Sequence, residues 1–198
     1  MPYVAIVFRK PVFVSDSIIA MYAGQYVHTD ICPIDELNAA HTLVCTCYMG
    51  ETFSASLCSK SRFNDATHAA LVIPTTIEEQ DEITSYLYAL VEKKVKYNYM
   101  DVAAAALPLN VRNTLFSDVE SENPDGISSL FCSQAAVLVL RNCLIPEREI
   151  TKALTGVNSR CILPNMLYNI LTPFCMRISC DALREGEVEM YRNTYKRT

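Results

Sequence analysis

An α+β fold is what the sequence predicts, as an antiparallel sheet or small barrel from the N-terminal part packed on a helical part. Three observations predict it. The first third alternates short β-branched and aromatic runs with turn residues, the period becomes helical from Thr75, and a cysteine-led apolar stretch follows from Phe131 to Arg141. At 198 residues, with no internal repeat and no linker, the chain reads as one domain over 1–198 with room for a sizeable core.

Composition narrows the classes of function. Hydrophobic residues make up 51% and charged ones 20%, which excludes a disordered chain. The net charge of -5 and the absence of a basic stripe argue against nucleic acid as a partner. The densest basic run, Lys93-Lys94-Val95-Lys96, reads as a solvated helix end. No apolar run approaches the roughly 18 residues that span a bilayer, so no transmembrane segment is expected. Nine cysteines are an odd number, and no basic n-region precedes Tyr3-Val4-Ala5-Ile6-Val7-Phe8. The expectation is a reducing, cytoplasmic compartment with free thiols.

In chain order, Tyr3–Arg9 reads as a strand closed by Pro11. Residues 12–22 read as a strand followed by a helical turn. After Gly24, residues 25–34 form a strand whose period of two places Tyr26, His28, Asp30 and Cys32 on one face. Residues 41–49 and 51–57 pair as a tight hairpin turning at Met49-Gly50-Glu51, and 68–73 is a further strand ending at Pro74. Two overlapping capping boxes, Thr75 with Glu78 and Thr76 with Glu79, open a helix that runs to Lys96. Residues 102–107 are a short helix ended by Pro108. The polar stretch 110–127 reads as a long surface loop, more often functional than idle. Ser128 or Ser129 caps the cysteine helix. Two short helices follow, 146–154 with Gly156 behind it and Pro164–Leu171, and the charged tail from Arg177 ends in a frayed segment from about Tyr191.

Cys132 in the first turn of an apolar helix is the chemically loaded position. Unpaired backbone N–H groups and the positive end of the helix dipole favour a thiolate, which is the nucleophilic form. A cysteine nucleophile needs a base and a group that orients the base. His28, His41 and His68 are the three candidates. His28 is preferred because Asp30 shares its strand face, whereas His41 lacks a neighbouring acid and His68 leads an apolar strand.

Phe131-Cys132-Ser133-Gln134 resembles the aromatic-Cys-Ser-Glu signature of circularly permuted papain-fold hydrolases, the NlpC-related group with its YaeF-like, YiiX-like and poxviral branches. Tyr26-Val27-His28-Thr29-Asp30-Ile31 is similar to that group's Ser-His-x-Glu strand, Glu51 to Ser56 to the strand after it, and Lys96-Tyr97-Asn98-Tyr99 to its Lys-Tyr-Asp-Tyr segment. The resemblance covers residues 4–171. It includes the permuted order, since His28 precedes Cys132 by 104 residues. Val27, Asp30 and Gln134 depart from the pattern, and Ser54 or Glu51 are the substitutes for Asp30 as third residue.

The resemblance implies a cysteine peptidase or amidase that needs no cofactor and acts on a peptide, amide or acyl substrate. Cys132 would attack, His28 would take its proton, and the oxyanion would meet the Cys132 N–H and Tyr97, with Ser133 and Gln134 beside the site. It also implies a bacterial or large-DNA-virus setting, with host cytoplasm or virion as the location of a viral member. The rival readings are an inactive binding module, a cysteine-dependent lipid acyltransferase or thioesterase, and a zinc site. The one close cysteine pair, Cys45-Thr46-Cys47, lacks zinc-knuckle spacing, so no metal is expected.

Overall fold

The computed structural model describes residues 2–12, 16, 20–21, 24–34, 41–48, 51–59, 62–104, 107–115 and 124–185. Within them the protein is a mixed α+β structure built on an open six-stranded sheet with every neighbouring pair antiparallel. The strands are β1 (Tyr3–Arg9), β2 (His28–Ile34), β3 (His41–Thr46), β4 (Ser54–Ser59), β5 (His68–Pro74) and a C-terminal β8 (Met176–Ile178), in the order β4-β3-β2-β1-β5-β8. A separate parallel pair joins β6 (Lys96–Tyr97) to β7 (Ser129–Leu130).

Strand β1 is buried on both faces, which is why it reads as an unbroken apolar run. Val4, Ile6 and Phe8 join the larger core under the helices, with Leu71, Leu87 and Leu138. Tyr3, Ala5 and Val7 join a smaller core with Val72, Ile178 and Leu183 on the other face. Of the seven α-helices among the described residues, α1 (Ile77–Glu92), α2 (Tyr99–Ala103), α3 (Leu109–Leu115) and α4 (Cys132–Cys143) precede the last three, α5 (Glu149–Thr155), α6 (Pro164–Leu171) and α7 (Cys180–Glu185).

Local chemistry explains most boundaries. Of the two capping boxes, Thr76 with Glu79 starts α1: Glu79 N–H donates to Thr76 Oγ1 at 3.1 Å and Thr76 N–H to the Glu79 carboxylate at 2.9 Å. The helix stops at Glu92, short of Lys96, because Lys94 takes a left-handed φ of 52° that returns Val95 to the core.

Further expectations are sharpened or corrected. The strands of the expected hairpin pair as far as Thr46 with Ser54, and Glu51 N–H donates to Tyr48 O at 3.0 Å, the bond of a tight turn where one was expected, with Met49 and Gly50 themselves outside the described residues. The flanks of the turn dock inward: Cys47 and Phe53 are core residues, Phe53 N–H donates to Val95 O at 2.7 Å and Tyr97 N–H to Glu51 O at 3.2 Å. The loop expected over 110–127 begins as helix α3, anchored by buried Arg112 on Cys161 O at 3.1 Å. The charged tail contains strand β8 and helix α7. Tyr26 precedes β2 and packs with Phe8 and Tyr168 in the larger core, while Cys32 belongs to the smaller one. The expected frayed end from Tyr191 and most of 12–22 lie outside the described residues.

Candidate active site

Helix α4 begins at Cys132, which places the thiol at the first helical position. Neither Ser128 nor Ser129 caps it. Extended Phe131 occupies the cap, and the Gln134 side chain reaches back to accept from Phe131 N–H at 3.2 Å. Ser133 lies inside the molecule and donates its hydroxyl to Ile162 O at 2.6 Å. Both side chains are therefore committed to seating the helix start. The backbone N–H of Cys132 is among those with no partner inside the helix.

The two residues before Phe131 form β7, and β7 is held by β6. Tyr97 is the register partner of Leu130, and Asn98 N–H donates to Leu130 O at 3.0 Å. Tyr97 is thus brought near Cys132 through a two-residue sheet. Burial first, and then the thiol charges of Cys132 and Cys47, push its phenol far up, so its hydroxyl stays a proton donor. Cys47 itself lies 3.7 Å from Leu130 O, and burial pushes it up to about 12.

Strand β2 carries the candidate base. His28 and Asp30 share a face, as the period of two requires, and Asp30 Oδ1 lies 2.9 Å from His28 Nε2. Thr46, on neighbouring β3, places Oγ1 at 2.8 Å from the same nitrogen. Neither contact uses Nδ1, and Cys132 lies close enough to the ring for its charge and hydrogen bonding to bear on His28. Tyr48 covers the imidazole in a parallel stack, with ring centres 4.4 Å apart and planes 12° apart. Arg62 steadies Tyr48 by donating to its hydroxyl at 3.0 Å.

The electrostatics are those of a charged pair in a dry site. Burial alone would lower the basicity of His28, but the charges and hydrogen bonds of Asp30 and Cys132 outweigh it and raise the pKa from 6.5 to about 10. Burial would raise Asp30, yet His28, the Thr46 hydroxyl and the Arg62 charge hold it below the usual carboxylate range. A base raised in this way stabilises the fold fully below pH 6.5, and the contribution is lost as pH rises through about 10. Asp30 contributes above its ordinary 3.8 and loses the contribution as acid protonates it. The melting temperature of the wild type is therefore expected to fall more steeply than that of His28→Gln between pH 6.5 and 10. Parallel curves over that window would contradict the imidazolium assignment.

The remaining candidates lie elsewhere. His68 pairs its Nδ1 with Thr67 Oγ1 at 2.8 Å and packs on Phe63, and burial lowers its pKa. His41 opens β3. Ser54 begins β4 and Glu51 is exposed in the 47–53 connection, and neither has a hydrogen bond to His28. No disulfide links any of the nine cysteines, and among the described residues no group of three or more His, Cys, Asp or Glu side chains is placed to hold a metal. No described helix is long and apolar enough to cross a membrane. Thr46, Tyr48 and Arg62 are the site residues that sequence reasoning missed. A threonine ending a strand carries no signal, but an aromatic and an arginine on either side of β4 do.

The chain matches no known family model, no curated protein and no solved structure.

Proposed function

We propose that this protein is a cysteine hydrolase of peptidase or amidase type, on a permuted papain-like fold, working through a covalent acyl-thioester. The observation that carries the reading is the buried relay in which Asp30 and Thr46 occupy His28 Nε2 while Cys132, at the first residue of α4, engages the same ring. The order also supports it, with the base on an antiparallel strand 104 residues before the nucleophile.

The residues have separable roles. His28 accepts the Cys132 proton, and the thiolate adds to a carbonyl carbon. The negative charge moves to the carbonyl oxygen, which would be met by the Cys132 N–H and the Tyr97 hydroxyl. Collapse expels the amine or alkoxide, which takes the proton from His28. Water, deprotonated by His28, then hydrolyses the thioester and restores the thiol. Asp30 and Thr46 orient the ring, and Tyr48 shields the His28 to Asp30 hydrogen bond from water.

The test uses a generic acyl donor. On incubation with p-nitrophenyl acetate, intact-mass and peptide mapping are expected to show one hydroxylamine-labile acetyl group on Cys132, formed and turned over, and absent in Cys132→Ser. Most of the other thiols are held protonated by burial, including Cys45, Cys143, Cys175 and Cys180, each pushed up to about 12. Acetylation spread evenly over the cysteines, or none at Cys132, would overturn the proposal.

A further inference from the structure

A cavity of about 340 Å³ opens where β1 ends and β5 begins, at the edge of the sheet that β8 closes. Its wall includes Lys10, Gln25, Asp65, His68, Arg177 and Ser179. None of the proposed reacting groups lines it, so a ligand held there is independent of any chemistry at Cys132.

The charges in this wall are unevenly spent. Arg177 is exposed on β8, and its guanidinium makes no hydrogen bond or ion pair with another described residue. Lys10 donates to two backbone carbonyls, Asp65 O and Ala66 O, each at 3.2 Å, which orients the ammonium but leaves its charge unneutralised. The one acid of the wall, Asp65, already holds Cys180 N–H at 2.5 Å, and Asp181 stands exposed on the adjoining helix. Neutral donors complete the lining. Ser179 Oγ accepts from Ala182 N–H at 2.9 Å, so its own proton is available, and the exposed Gln25 carries an amide.

Two cations set against the single carboxylate of Asp65, beside neutral donors, make a receptor for an oxyanion. The arginine fork suits two oxygens of one carboxylate or phosphate and the lysine supplies a point charge. The volume lies at the small end of ligand cavities, and Tyr26, Ala69 and Ile178 give one wall an apolar surface. We propose that this cavity binds a small organic anion through a carboxylate or phosphate group held by Arg177 and Lys10. The site lies apart from the thiol: Arg9 is the register partner of both His28 and His68, which sets those two residues about 10 Å apart across β1.

The experiment is an NMR titration of the full chain at low ionic strength with inorganic phosphate and, separately, succinate. Saturable shifts at the amides of Arg177, Ser179 and His68 are expected with at least one anion, with a dissociation constant on the order of 1 mM. Arg177→Ala and Lys10→Ala each weaken binding about tenfold, Arg177→Lys less, and Cys132→Ser leaves it unchanged. Phosphate binding alone identifies a phosphorylated ligand, succinate alone a carboxylate. Absence of saturation with both anions up to about 10 mM, shifts centred elsewhere, or undiminished binding in Arg177→Ala would overturn the proposal. Arg177 is exposed and Lys10 half-buried, and matching melting temperatures check that the variants fold.

Discussion

Alanine in place of His28 is expected to slow iodoacetamide alkylation of Cys132 at pH 6.5 by on the order of 100-fold, since the base that receives the thiol proton is gone. The wild-type rate should exceed that of the variant throughout pH 6 to 8, because His28, raised to about 10, keeps a cation beside the thiol. In His28→Ala the rate should climb with hydroxide, as for an unassisted thiol. Asp30→Asn leaves the ring in place but removes the charge, so a smaller loss of about tenfold is expected, with the midpoint of His28 falling because burial is then less opposed. Equal alkylation rates in wild type and His28→Ala would refute activation of the thiol by His28, and with it the hydrolase proposal.

The second large effect lies outside the reacting groups. Asp101 is buried at the start of α2 and is gripped at both oxygens, by Arg160 Nη2 at 2.8 Å and Nε at 2.9 Å, with Asn98 Nδ2 at 2.8 Å from the second oxygen. Its own N–H caps on Asn98 Oδ1 at 3.1 Å. Asp101→Ala is expected to cost about 3 kcal/mol, at the low end for breaking a buried pair because the Arg160 side chain is 29% exposed and can turn to water. The melting temperature should drop by roughly 10 °C. Because Asn98 also ties β6 to β7, acetylation of Cys132 should fall with it, and the conservative Asp101→Asn should restore part of both. A melting temperature within about 1 °C of wild type would show that the network holds nothing.

The signals that were legible in the sequence were local ones. Period-two spacing placed His28 and Asp30 together, the Thr76 and Glu79 box fixed the start of α1, and a cysteine ahead of Ser133-Gln134-Ala135-Ala136 marked the first turn of α4. What escaped depends on contacts between distant segments. Tyr26 obeys the strand period on paper but precedes the first ladder pair, Arg9 with His28, and turns to the other core. Gly50 signalled the turn that the Glu51 N–H to Tyr48 O bond closes, but nothing local signalled that its flanks dock against Val95 and Tyr97 or that Tyr48 stacks on His28. Strand β8 is three residues long and owes its place to pairing with β5. Helix α3 was masked by polar composition, its anchor being one arginine on a carbonyl 49 residues away.

The pairing of β5 with β8, Leu71 against Arg177, has a consequence for how the chain is made. Strands β1 to β5 leave the ribosome long before β8 exists, so the nascent sheet presents the edge of β5 with no neighbour while the rest is translated. That edge bears Ala70, Leu71 and Val72, an apolar run of the kind that recruits foreign strands. Cys132 also emerges late, so His28 and Asp30 wait through much of synthesis without their helical neighbour. A protein whose contacts span the whole chain in this way belongs among slow folders, and its greatest exposure to aggregation and to holding chaperones falls between the appearance of Pro74 and that of Met176.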